Sequence, residues 1–174
     1  MKYFVKFFVV TFLVLICSYA SAEEKIAVVD IKYVLNNSKA GKAAQEHLKK
    51  TFSQNQKIYS AEEKKLKKEE EDLLSKKSTL SKEDYKTKSD KLREKVKKYQ
   101  IERRKSFESV AKLRASAREQ LLNKLDPILS AYIEENNISV ILDKKFTLGG
   151  SQAVDITNLI VEKLNKDLPS LKLK

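Results

Sequence analysis

The side chains able to do chemistry are few, and most carry positive charge. His47 is the only histidine and Cys17 the only cysteine, so a thiol–imidazole pair would have to come from an apolar N-terminal segment that is expected to be removed. No spacing of His, Cys, Asp or Glu matches a metal site, no glycine loop suits a phosphate, and no nucleophile elbow is present. The acid groups Glu62-Glu63 and Glu69-Glu70-Glu71 lie among lysines in a helix-forming stretch, where a solvated face explains them better than paired acid/base work. An enzyme is therefore not expected, and neither a cofactor nor a metal is called for. What remains is charge and aromatic contact. Lys97, Lys98, Arg103, Arg104 and Lys105 form the densest basic cluster, and Tyr59, Tyr85 and Tyr99 offer aromatic faces with a polar tip. The cluster either contacts an acidic partner or is a solvated face. The tyrosines either pack between helices or meet a bound chain.

These residues sit in a long middle region. Between Gly41 and Pro127 the chain has 85 residues without Gly or Pro, rich in Lys, Glu, Leu, Gln and Ser, which predicts helix. Residues 39–124 carry 26 Lys and Arg against 14 Asp and Glu, so they hold all the excess of a chain whose net charge is +12. The apolar pattern is heptad-like but thin. Phe52, Tyr59, Leu66, Leu73 and Leu80 recur every seven residues, while Asn55, Glu62 and Glu69 take the alternate seam position. Leu92, Val96, Tyr99, Val110, Leu113 and Ala117 continue the pattern, interrupted by Arg103 and Ser106. Three serines and a threonine in 75–84 predict a turn near 75–81, with Ser81 as N-cap and Asp84 in the N3 position of a capping box. The middle then folds into an antiparallel helical hairpin whose first helix, roughly 37 residues at 1.5 Å each, reaches about 55 Å. One helix continuous through Ser81 is the alternative.

The N-terminus reads as a secretory signal over residues 1–22. Two lysines precede an apolar run at 7–17, and Ala20-Ser21-Ala22 offers a cleavage site before Glu23. The run is shorter than the roughly 20 apolar residues a membrane anchor needs. Bulky Ile16 before Cys17 argues against a lipoprotein signal. Removal leaves 152 residues with no cysteine, which suits an oxidising compartment.

The flanks, 23–38 and 125–174, read as one small β-rich body of 66 residues. Ile26, Val28 and Val29 belong to one short apolar strand closed by Asp30, and Val140, Ile141 and Leu142 to another closed by Asp143. These six residues are the expected core of the body. Asp126-Pro127 predicts a helix restart, Asn136-Asn137 its left-handed C-cap, and 153–168 a terminal helix with Asp155 near its start. A body of this size is marginal alone, which predicts an obligate oligomer that pools several cores. The fold class is α+β, a small strand-containing body bearing a long helical arm.

Lys25-Ile26-Ala27-Val28-Val29-Asp30, the Gly-free basic middle, Asn137-Ile138-Ser139-Val140-Ile141-Leu142-Asp143 and Val154-Asp155-Ile156-Thr157, in this order after a secretory signal, resemble the Skp/OmpH family of periplasmic chaperones for outer-membrane proteins. The resemblance spans essentially the whole chain after residue 22. It implies a jellyfish-like homotrimer whose helical tentacles enclose a cavity, periplasmic location, and ATP-independent holding of unfolded outer-membrane β-barrel proteins. Thin, wet apolar stripes suit reversible binding of many sequences, and positive charge speeds encounter with acidic clients. Lipopolysaccharide or another anionic lipid surface is a further candidate partner. Two rivals share the composition. A structural coiled-coil spacer of the envelope would need strong association through the arms, which polar seam positions oppose. A basic nucleic-acid-binding protein has the charge but no recognised motif, so only nonspecific affinity is expected.

Overall fold

The computed structural model describes residues 24–173, and the leader assigned to 1–22 lies outside them. The elements are β1 (Lys25–Val29), α1 (Ile31–Asn37), α2 (Lys39–Ser75), α3 (Lys82–Asn136), β2 (Ile138–Asp143), two short 3₁₀ turns (Lys144–Phe146 and Gln152–Val154) and α4 (Thr157–Asp167). The body thus holds more helix than strand.

β1 and β2 pair in parallel, with Ile26 beside Val140, Ala27 beside Ile141 and Val28 beside Leu142. Parallel strands need a crossover connection, and here the crossover is the entire run 30–137 with both long helices inside it. The arm is therefore an insertion between two neighbouring strands, and the strand pair anchors both of its ends. The other edge of β1 is closed by the chain entering α4, where the Ile156 amide donates to the Val28 carbonyl at 2.9 Å.

Burial alternates along β1 as period two requires. Ala27 and Val29 point into a core with Val34 of α1, Ala40 of α2, Leu121, Leu125 and Ile128 of α3, and Ile160 and Leu164 of α4. This core closes over a large sequence separation. The Asp30 amide donates to Thr157 Oγ1 at 2.9 Å, and the Lys39 amide to Asn165 Oδ1 at 2.6 Å. Where α1 turns into α2, Ser38 is fully enclosed and its hydroxyl accepts from the Gly41 amide. Gly41 is required there, because a Cβ on it would lie 1.8 Å from the Leu35 carbonyl oxygen.

α3 departs from the expectation at Asp126-Pro127. It does not restart there but runs unbroken for 55 residues with Pro127 inside it. The carbonyl of Asn123, which loses its donor to the proline, belongs to an exposed residue that water can reach, while Leu121, Leu125 and Ile128 hold the opposite face in the core. The helix ends as its residues predict, with Asn137 in the left-handed conformation (φ 52°, ψ 47°). α4 is shorter than expected. A 3₁₀ turn occupies 152–154, and Asp155 Oδ1 accepts from the Thr157 amide at 3.0 Å just before the helix begins.

Candidate functional site

Outside the body, α2 and α3 lie side by side, and their contacts descend along α3 as they ascend along α2. Phe52 meets Phe107 with ring centroids 5.9 Å apart, Tyr59 meets Tyr99 at 6.1 Å, and Glu69 meets Lys95 at 2.6 Å. The tilted ring pairs are the favourable aromatic arrangement. The Tyr59 hydroxyl donates to the Glu102 carbonyl at 3.1 Å, and the Tyr99 hydroxyl to Glu63 Oε2 at 3.3 Å. Lys67, one turn on from Glu63, holds that carboxyl below its usual range, with help from Tyr99. Partial burial, and next the Glu63 charge, push the Tyr99 phenol up.

The seam is narrow. Among residues 45–116 only Leu66 is buried, while Phe52 stays 44% and Ile58 62% exposed. Of the alternate polar seam positions, Glu69 reaches across to Lys95, whereas Glu62 turns to Lys65 on its own helix. At the far end Ser81 caps α3. Its hydroxyl accepts from the Asp84 amide at 3.0 Å and donates to Asp84 Oδ2 at 2.7 Å.

The candidate contact residues do not form one patch. Tyr59 and Tyr99 come together, but Tyr85 stands apart near the tip with the Lys77 ammonium 5.9 Å from its ring. Lys97, Lys98 and Lys105 line one shallow concavity with Ile101, Glu94 and Glu102, and Arg104 pairs weakly with Glu108 at 3.7 Å. Arg103 sits elsewhere, with its guanidinium 5.8 Å from the Phe107 ring at the seam. Phe107 was missed by the heptad reading because it falls one place after Ser106, the polar residue that interrupts the stripe; its signal was an aromatic four residues after an arginine.

In the body, Val29 is buried and Ile141 packs against the core, whereas Ile26, Val140 and Leu142 are 40–47% exposed on the opposite face, with Val28 half-buried between them. Phe146 and Leu148 are more exposed still. Among the described residues the one strongly shifted acid is structural. Lys144 lies 2.6 Å from Asp155, and this contact, with hydrogen bonds from Thr157, lowers the Asp155 carboxyl from 3.8 to about 2. Among the described residues no group of three His, Cys, Asp or Glu side chains could hold a metal, and no helix is long and apolar enough to cross a membrane.

A small strand-pair body carrying two long helices as an insertion defines an arm-bearing α+β protein. The chain belongs to the OmpH-like family: the family model described as "Outer membrane protein (OmpH-like)" matches residues 25–164, from the first residue of β1 into the last turns of α4. A crystal structure from Caulobacter crescentus, described as an OmpH-like outer membrane chaperone, has a similar fold, with a TM-score of 0.78 at 21% identity over 88% of this chain and 90% of that one. No curated protein matches this chain in sequence.

Proposed function

We propose that this chain is an ATP-independent holdase of the periplasm that captures unfolded outer-membrane β-barrel proteins between the helical arms of a homotrimer. The observation that carries this reading is the arm itself: two long helices side by side, in which the 72 residues 45–116 enclose a single side chain, Leu66, while aromatic rings stay partly exposed along a basic surface. Such an arm binds extended chains weakly at many points and lets them go. Family membership and the chaperone description of the Caulobacter crescentus protein support the same reading. Lys97, Lys98, Arg104 and Lys105 are the outward charge contacts, and Arg103 with Phe107 and Phe52 forms a mixed cationic and aromatic contact at the seam. Tyr59 and Tyr99 brace the hairpin, and Tyr85 is left to the client.

The trimer reading rests on the outward face of the strand pair. Ile26, Val28, Val140 and Leu142 form an apolar strip, and among the described residues β2 has no strand partner on its second edge. Neighbouring copies would cover both. The anionic-lipid reading rests on arm charge alone. The test follows light scattering as an unfolded outer-membrane β-barrel is diluted from urea without ATP, with the chain present in excess as trimer. Suppressed aggregation that weakens as salt rises is expected. No suppression at any salt would replace the holdase by the envelope spacer.

A further inference from the structure

The base of α3 holds a side-chain amide that is already engaged with peptide backbone. Gln120 Nε2 donates to the Lys172 carbonyl at 3.2 Å, and the Lys172 amide donates to Gln120 Oε1 at 3.2 Å. This is the two-way exchange that a neighbouring strand makes with one residue. The same Nε2 donates to Ser116 Oγ one turn earlier, also at 3.2 Å, so both amide hydrogens are used and the group is held in the orientation that reads a main chain. The partners are 52 positions apart in sequence, which makes this a docked segment and not a local turn.

Nothing in the exchange depends on the lysine side chain, which points to solvent. On either side of it Leu171 and Leu173 are half-buried, the alternation of an extended chain on an apolar surface. Leu171 and Leu168 pack against the body core that includes Leu121, Leu125 and Leu164. A site that reads backbone at one residue and apolar side chains at the residues flanking it accepts any extended segment with the same alternation. Strands of membrane β-barrels carry that alternation along their length.

We propose that the face of α3 around Gln120 is a binding site for extended polypeptide segments with an apolar residue at every second position, and that the chain's own tail after Leu168 is its tethered occupant. As the source of the incoming segment this takes the client class proposed above. A tethered tail competes at a high local concentration, on the order of millimolar. Only a segment that is also held elsewhere along the arm displaces it, so the base of the arm stays closed to short stray peptides. Release of a client is then assisted by the tail's return.

The test uses the chain 23–174 and a fluorescein-labelled twelve-residue peptide alternating leucine with serine and lysine, with binding read by fluorescence anisotropy. A chain ending at Leu168 is expected to bind the peptide about tenfold more tightly than the chain with its tail. Gln120→Ala in that shortened chain should cancel most of the gain, and an unlabelled peptide of the sequence 169–174 should compete. Equal binding with and without the tail, or a gain that Gln120→Ala leaves intact, overturns the proposal. If the shortened chain loses its helical circular dichroism, Lys172→Pro in the full chain serves instead. It removes the amide that donates to Gln120, at a residue whose side chain takes no part in the exchange and in a tail that stays extended, and should also raise peptide affinity; a tail that merely strengthens the fold would lower stability and leave affinity unchanged, which also overturns the proposal. The readout is independent of aggregation. A chain that binds the peptide but never suppresses scattering overturns the holdase reading and leaves this site standing.

Discussion

The body gathers Ala27, Val29, Val34, Leu125, Ile160 and Leu164, each no more than 2% exposed, from four elements drawn from both ends of the described chain, whereas from 45 to 116 the arm encloses Leu66 alone. The two regions are therefore stable for different reasons. The body stands on long-range burial and on hydrogen bonds such as Asp30 to Thr157 and Lys39 to Asn165. The arm stands on helix propensity, on the cap at Ser81 and on a single file of ring and ion pairs. Damage in the body should spread to the whole fold, and damage in the arm should stay local.

The largest effect is expected at the joint of the two regions. Gly41→Ala sets a methyl against the Leu35 carbonyl, where backbone must move, and should cost about 3 kcal/mol in denaturant unfolding. A change near zero would show that α1 and α2 meet more loosely than this contact requires. Next comes the ion pair that ties the end of β2 to the entry of α4. The Asp155 carboxyl is depressed in the folded state, so its contribution is complete above its unfolded value near 3.8 and is lost as pH falls toward about 2. Because Lys144 is 55% exposed the contribution is screened, and Asp155→Asn should cost about 1 kcal/mol at neutral pH while flattening the stability profile between pH 4 and 2. An unchanged acid profile would assign that loss to other carboxylates. The smallest effect is expected at the tip. Ser81→Ala removes the cap and should cost about 0.5 kcal/mol of local stability, seen as faster hydrogen exchange in the first turn of α3 with body amides unchanged. If body amides also speed up, the arm is not the separate unit described here.

How much of this was legible in the sequence depends on the range of the interaction. The strand runs, the Ser81 cap with Asp84 and the left-handed Asn137 are set by residues within four positions of one another, and each appears where its residues place it. α1 escaped the reading because seven residues are too few for a period, and Asp30 looked like a strand terminator when it also caps that helix, accepting from the Tyr33 amide at 2.7 Å. Asp126-Pro127 suits a helix start because its neighbours favour a cap, while the packing of Leu125 and Ile128 that carries the helix past it is tertiary. The basic cluster looked continuous because the five residues are near in sequence, yet the helical rotation from Lys97 to Arg103 turns the latter toward the seam. The Gln120 contact with Lys172 had no signal in the sequence, since an amide that reads backbone leaves no mark on the residue it reads.

Under the proposed function the arm holds clients and the body holds the assembly. Hydrogen exchange on the chain 23–174, alone and in complex with an unfolded outer-membrane β-barrel, tests that division most directly. Slower exchange along both helices of the arm between residues 45 and 116, with β1, β2 and α4 unchanged beyond the tail, is the predicted result. Protection gained in the body while the arm exchanges as it does alone would contradict it.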